Sequence, residues 1–219
     1  MRAAQNLDVR IAGNEVRGTK AAAVSIAEVA GSLVRVDSNR IAAQGMLIRV
    51  QRGSRQRLDP DAAPPSPAPT LYEIEDNTLA VGAPRPGYAP FGADGIVLED
   101  VTFAARAHLS GVDSFIVRRN EVTLDGSGNA ITVIGDRRGR ARLMDNRLSG
   151  PAVFTGIYLD ESIGTRTRDN RFAGFSDENV EVYLSASTER CVVLERQARV
   201  WDDGVGNTVT ARELRRNGQ

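Results

Sequence analysis

The sequence predicts an all-β solenoid wound into coils of three short parallel strands, and three observations carry that prediction. The first is a recurring unit: an extended segment, an Asn, one variable residue, then an apolar residue. It reads Ile-Ala-Gly-Asn-Glu-Val at 11–16, Val-Asp-Ser-Asn-Arg-Ile at 36–41, Ile-Glu-Asp-Asn-Thr-Leu at 74–79 and Val-Arg-Arg-Asn-Glu-Val at 117–122. It returns as Leu-Met-Asp-Asn-Arg-Leu at 143–148, Thr-Arg-Asp-Asn-Arg-Phe at 167–172 and Gly-Asn-Thr-Val at 206–209. Eight of the 11 Asn are followed two residues later by Val, Ile, Leu or Phe, where about three are expected from the abundance of those types. Asn129 is out of phase; the other seven define the unit.

The second observation is spacing. The seven Asn are separated by 25, 38, 43, 26, 24 and 37 residues. A coil of about 24–25 residues with insertions explains these intervals and is a solenoid signature. The interval of 43 divides if Asp100-Val101-Thr102-Phe103 is a degenerate corner, and this is preferred to reading Gly95–Asp100 as a strand equivalent to Gly156–Glu161. The third observation is a period of two within each unit, punctuated by Gly, Asp and Ser. The interval 146–170 shows it: Gly156–Leu159 is a first strand, Thr165–Arg168 a second and Arg171–Ala173 a third. About seven to eight such coils give three parallel sheets with a rise near 4.8 Å per coil.

Along the chain, residues 1–50 hold two compact units, and Ala21–Ala30 reads as strand in spite of its alanines. Residues 51–70, with Pro60, Pro64, Pro65, Pro67 and Pro69, form an insertion within one coil, because proline cannot donate to a ladder. A second insertion covers 82–94, around Pro84, Pro86 and Pro90. Residues 95–175 are the most regular coils. Val180–Leu184 continues the first sheet, and Cys191–Leu194 and Arg199–Trp201 lead to the final Asn207. The solenoid spans 1–210, and 211–219 is a polar tail or short cap.

The Asn has two expected tasks. It turns the corner, because it tolerates positive φ, and it stacks on its neighbours through its amide. The residue two places later points inward.

Composition narrows the function. With 28 basic and 28 acidic residues the net charge is zero, which argues against a nucleic-acid partner. Cys191 and His108 are each single, so neither an internal disulfide nor a two-histidine mechanism is available. The first residues hold no apolar core typical of a signal peptide, and no run is long enough to enter a membrane as a helix. The first coil begins near Leu7, so an upstream segment or a second copy is expected to cover it, since open sheet edges are a liability.

The units Ser114–Val122, Ala141–Leu148 and Gly206–Thr210 resemble those of right-handed, single-stranded parallel β-helices of the pectate-lyase-like superfamily. The resemblance covers most of the chain. It implies fold more strongly than activity, because that superfamily includes lyases, hydrolases, epimerases, tailspikes and adhesins. It also favours an extracellular or cell-envelope setting. The acidic and histidine motifs of its polygalacturonase-like and pectate-lyase members are absent.

In catalytic members of the superfamily the cleft runs along the first sheet, so candidate residues are sought there. Ten residues before successive corner Asn lie Ser110, Asp136 and Asp160, with Ser185 matched by strand alignment and Glu161, Arg137 and Arg138 adjacent. Carboxylates on neighbouring coils at that spacing suit a shared calcium ion at Asp136 and Asp160, a split of acid and base roles, or sugar hydroxyl binding. Arg137, Arg138, His108 and Tyr158 are candidates for charge neutralisation or a base. Tyr183 and Trp201 are of a type that can stack on sugars, with core or cap packing the preferred assignment, and Cys191 is assigned to the core. The expected function is a non-catalytic β-helix module contacting polysaccharide or protein along its long face. A uronate-directed lyase or epimerase and an end-stacking structural module are the alternatives.

Overall fold

The computed structural model describes residues 4–5, 7–18, 22–27, 29–52, 69–82, 94–100, 113–126, 128–151, 155–176 and 179–213. They form a parallel β-helix. Sheet I precedes the Asn corner and contains Asp8–Ala12, Leu33–Asp37, Leu71–Glu75, Ser114–Arg118, Ala141–Met144, Arg166–Arg168 and the start of Val192–Asp202. Sheet II follows the corner and contains Glu15–Arg17, Arg40–Gln44, Thr78–Gly82, Glu121–Leu124, Arg147–Ser149 and Arg171–Ala173. Sheet III contains Val24–Ala27, Ile48–Arg52, Ile96–Asp100, Asn129–Ile134, Thr155–Asp160, Val180–Leu184 and the end of Val192–Asp202. All the strand pairings within these sheets are parallel, as expected for coils wound in one sense.

The alternating pattern becomes columns. Ile48, Ile96, Ile131, Ile157, Val182 and Val200 stack inward on sheet III. Ile41, Leu79, Val122, Leu148 and Phe172 do so on sheet II. On sheet I, Tyr72 and Phe115 stack with centroids 5.3 Å apart. Each buried aliphatic side chain contributes roughly 1.5–3 kcal/mol, so the core is a continuous apolar rod. Cys191 lies in it, fully buried as expected.

The Asn ladder forms, with two corrections. The turning residue is the one before the Asn: Gly13, Ser38, Asp76, Arg119, Asp145 and Asp169 have φ between 55° and 66°. The Asn itself is spared the left-handed conformation and uses its amide instead. In each of Asn39, Asn77, Asn120, Asn146 and Asn170, Oδ1 accepts the backbone N–H and an Nδ2–H of the Asn one coil earlier, at 2.9–3.1 Å. Nδ2 of Asn39, Asn77, Asn120, Asn146 and Asn170 also donates to a carbonyl of the preceding coil.

The second correction concerns its end. The last seat belongs to Glu195, 25 residues after Asn170, whose backbone N–H and Nδ2–H donate to the two carboxylate oxygens at 2.8 and 2.7 Å. Asn207 sits elsewhere. Its neighbour Thr208 pairs with Val192, so Asn207 lies beside Cys191 at the corner between sheets III and I, accepting the Cys191 N–H.

The 95–110 register is also corrected. Ile96–Asp100 is a sheet III strand, paired with Ile48–Arg52 and Asn129–Ile134. Asn77 bonds directly to Asn120, so the interval of 43 spans a single step of the Asn ladder; residues 101–112, with most of the expected corner, lie outside the described residues. Glycine opens that strand for a reason: a Cβ at Gly95 would meet Val122 Cγ1 at 2.6 Å, and one at Gly156 would meet the Phe172 ring at 2.9 Å.

The core of the 51–70 insertion, 53–68, and that of the 82–94 insertion, 83–93, lie outside the described residues. Within Ala21–Ala30, Val24–Ala27 and Val29–Ala30 are strand, and Ala22 and Ala23 precede it. The final strand, Thr208–Glu213, runs three residues beyond the expected end at 210.

Candidate functional site

Sheet III brings its outward residues into one line. Arg49, Val97, Thr132, Tyr158, Tyr183 and Trp201 occupy the same register position on successive coils. The last three form an aromatic column near the carboxy-terminal end. Tyr158 and Tyr183 have centroids 5.6 Å apart and an interplanar angle of 35°. All three rings are half-buried, so Tyr183 and Trp201 belong to the outer face rather than to the core or cap. Strand alternation produces this: each aromatic follows an inward Ile157, Val182 or Val200.

The neighbouring outward column is polar. Asp160 Oδ1 accepts the hydroxyls of Ser185 at 2.6 Å and Ser187 at 2.5 Å, and the Glu161 N–H at 3.0 Å. Asp160 is thereby fixed through one oxygen, and the other makes no hydrogen bond to the described residues. Tyr183 donates its hydroxyl to Asp203 Oδ2 at 3.1 Å. Burial, with smaller contributions from Asp160 and Tyr183, holds the Tyr158 phenol above its ordinary value, so it remains a neutral donor at physiological pH. Glu161 has positive φ and forms an ion pair with Arg137 at the rim, where both side chains are about two-fifths exposed.

The expected Asp136/Asp160 column is not a register column. The coil partner of Asp160 is Ile134, because sheet III adjacent coils here are offset by 26 residues, whereas sheet I coils are offset by 24. Asp136 lies past the end of the strand, in the corner leading to sheet I. It is almost completely buried, and its oxygens accept the Arg140 and Ala141 N–H groups at 2.9 Å each and the Thr165 hydroxyl at 2.5 Å. It fastens that corner as Asp113 does, whose Oδ1 accepts the Thr70 N–H. Arg138 is exposed beside it. Ser110 and His108 lie outside the described residues. Among the described residues no three Cys, His, Asp or Glu side chains converge as a metal cluster.

Ser185 and Tyr158 are therefore brought together with Asp160, and Arg137 with Glu161. Tyr183 and Trp201 join the site in place of the core or cap packing preferred for them, and Ser187 joins it as well. Their signal was present: Ile-Tyr-Leu, Val-Tyr-Leu and Val-Trp-Asp each place an aromatic after an inward aliphatic.

Fold and outer face together define a parallel β-helix solenoid with an aromatic column on one sheet. No family model, no curated protein and no solved structure matches the chain.

Proposed function

We propose that this chain is a non-catalytic β-helix module of a surface or secreted protein that binds polysaccharide along the outer face of sheet III. The observation that carries the reading is the column of Tyr158, Tyr183 and Trp201, in register on successive coils and half-exposed. Sugar rings present apolar C–H faces that stack on aromatic rings, while their hydroxyls seek carboxylates and hydroxyls at the edge. The free oxygen of Asp160, with Ser185 and Ser187 beside it, supplies that edge. The resemblance of the corner units to the pectate-lyase-like superfamily points toward the same ligand class.

A non-catalytic role is favoured over a lyase or epimerase by the hydrogen bonding of Asp136. Both its oxygens are engaged by the fold, so Asp136 and Asp160 do not form a pair of carboxylates able to divide acid and base roles.

Trp201 is the single tryptophan, so its emission reports on the proposed face directly. Titration with a panel of neutral and acidic polysaccharides should give a saturable spectral change with at least one member. A flat response across the panel from folded protein removes the reading. Appearance of unsaturated uronate absorbance in the same mixtures would replace it with the lyase.

A further inference from the structure

Sheet II ends one coil early, and its end is an open slot. The chain passes from Glu195 to Arg199 without forming a sheet II strand, and Val192–Asp202 instead pairs first with sheet I and then with sheet III. Among the described residues, Arg171–Ala173 is paired on one side only, with Arg147–Ser149. In the earlier coils the corner Asn carbonyl accepts an N–H from the next sheet II strand: Asn14 from Arg40, Asn39 from Thr78, Asn77 from Glu121, Asn120 from Arg147 and Asn146 from Arg171. That series stops at Asn170, whose carbonyl has no such donor among the described residues.

A cleft of about 730 Å³ opens there, with Phe172 in its lining and three arginines, Arg147, Arg171 and Arg196, against two carboxylates, Asp145 and Asp169. Asp169 is shared by Arg168 and Arg196. Arg147 and Arg171 are coil neighbours in register, and neither has a carboxylate of the described residues within ion-pair distance. Like charges side by side on a ladder are unfavourable unless an anion joins them.

We propose that this slot binds an extended acidic peptide segment by parallel β-strand addition to Arg171–Ala173. The columns specify the segment. A residue over Arg171 faces outward and is acidic, one over Phe172 faces the core and is apolar, and one over Ala173 is small, continuing Arg147-Leu148-Ser149 below it. Parallel alternation directs the N–H of the acidic residue to the Asn170 carbonyl and that of the small residue to the Phe172 carbonyl. The Phe172 and Gly174 N–H groups then donate to the segment.

The test uses a fluorescein-labelled Gly-Glu-Leu-Ser-Gly peptide with blocked termini and the full chain. Anisotropy should rise saturably, and hydrogen exchange at the Phe172 and Gly174 amides should slow when peptide is bound. Arg171→Glu, an exposed change that leaves the fold intact, should weaken binding by about tenfold or more. N-methylation of the peptide's Ser amide should weaken it comparably, because only strand addition needs that donor. No binding up to the solubility limit overturns the proposal. Undiminished binding of the N-methylated peptide also overturns it, leaving a contact of charge alone. Displacement by an oligogalacturonate without loss of amide exchange would assign the cleft to acidic glycan instead.

Discussion

The Asn corner and the outer face of sheet III are made by the same coils, yet they treat polar groups in opposite ways. At the corner, every amide from Asn39 to Asn170 is buried and has its acceptor and donor sites filled by adjacent coils. On sheet III, Asp160 keeps one oxygen unengaged by the described residues and three aromatic rings stay half-exposed. The first region repeats and is saturated, so it holds the coil together. The second is local to three coils and unsaturated, so it has bonding capacity left for a ligand. Repetition in a solenoid therefore marks mechanics, and a departure from repetition is the better guide to a site.

The largest break in this contrast is Asn120→Ala. It removes the shared acceptor of two buried donors on Asn77 and the donor to the Ile74 carbonyl. With each buried unsatisfied group worth about 1–3 kcal/mol, a loss of about 4 kcal/mol is expected in urea unfolding. Asn14→Ala, at the exposed end of the ladder, should cost about 1 kcal/mol or less by the same measurement. Equal losses at the two positions would show that the ladder contributes little as a cooperative unit.

Glu195 supplies the next effect, because it places a titrating group in a seat otherwise held by a neutral amide. Burial first, opposed by the hydrogen bonds from Asn170, pushes its carboxyl from the ordinary 4.5 up to about 7. The folded chain thus binds a proton more tightly than the unfolded chain. The associated stability is full below about 4.5 and is lost as pH rises to about 7, by up to about 3 kcal/mol. In Glu195→Gln one amide oxygen can accept both Asn170 donors, as Asn oxygens do along the rest of the ladder. Unfolding measured from pH 4 to 8 should then lose this downward slope. A slope that persists in the variant would place its origin in another group.

Trp201→Ala probes the unsaturated region. An aromatic contact is worth about 0.5–1.5 kcal/mol, so retardation in polysaccharide-containing gels should weaken about three- to tenfold while the unfolding midpoint moves little. A large stability loss with unchanged retardation would reassign Trp201 to packing.

The same contrast explains what was legible in the sequence. Corner and core could be read because each Asn-x-apolar unit states local geometry, and local geometry repeats. The ladder's end was misread because Asn207 preserves the residue type, whereas Glu195 preserves the 25-residue period and the hydrogen-bonding role. Period outranks identity here, since stacking depends on where a residue falls on the coil. Distance from the corner Asn aligns Asp136 with Asp160, but the corner joining sheets III and I is two residues longer on the Asp136 coil, from Ile134 to Arg142, than on the next, from Asp160 to Arg166. Counting from the corner therefore fails on the far sheet, and strand partners, which depend on tertiary register, decide the site. The αL seat before each Asn is also partly hidden, because Arg119 does not announce a turn as Gly13 does.

The smallest expected effect lies at the rim. Arg137 and Glu161 form an ion pair with both side chains about two-fifths exposed, so solvent screens them and their ordering costs side-chain entropy. Arg137→Ala should change unfolding free energy by about 0.5 kcal/mol or less. It nevertheless sharpens the comparison, because Glu161 is the residue whose N–H helps to fix Asp160 Oδ1. If the ion pair positions that turn for a ligand, the variant will lose polysaccharide retardation without losing stability. If both quantities stay at the level of the unaltered chain, the binding edge is confined to Asp160, Ser185 and Ser187, whose mutual hydrogen bonds need no help from the rim.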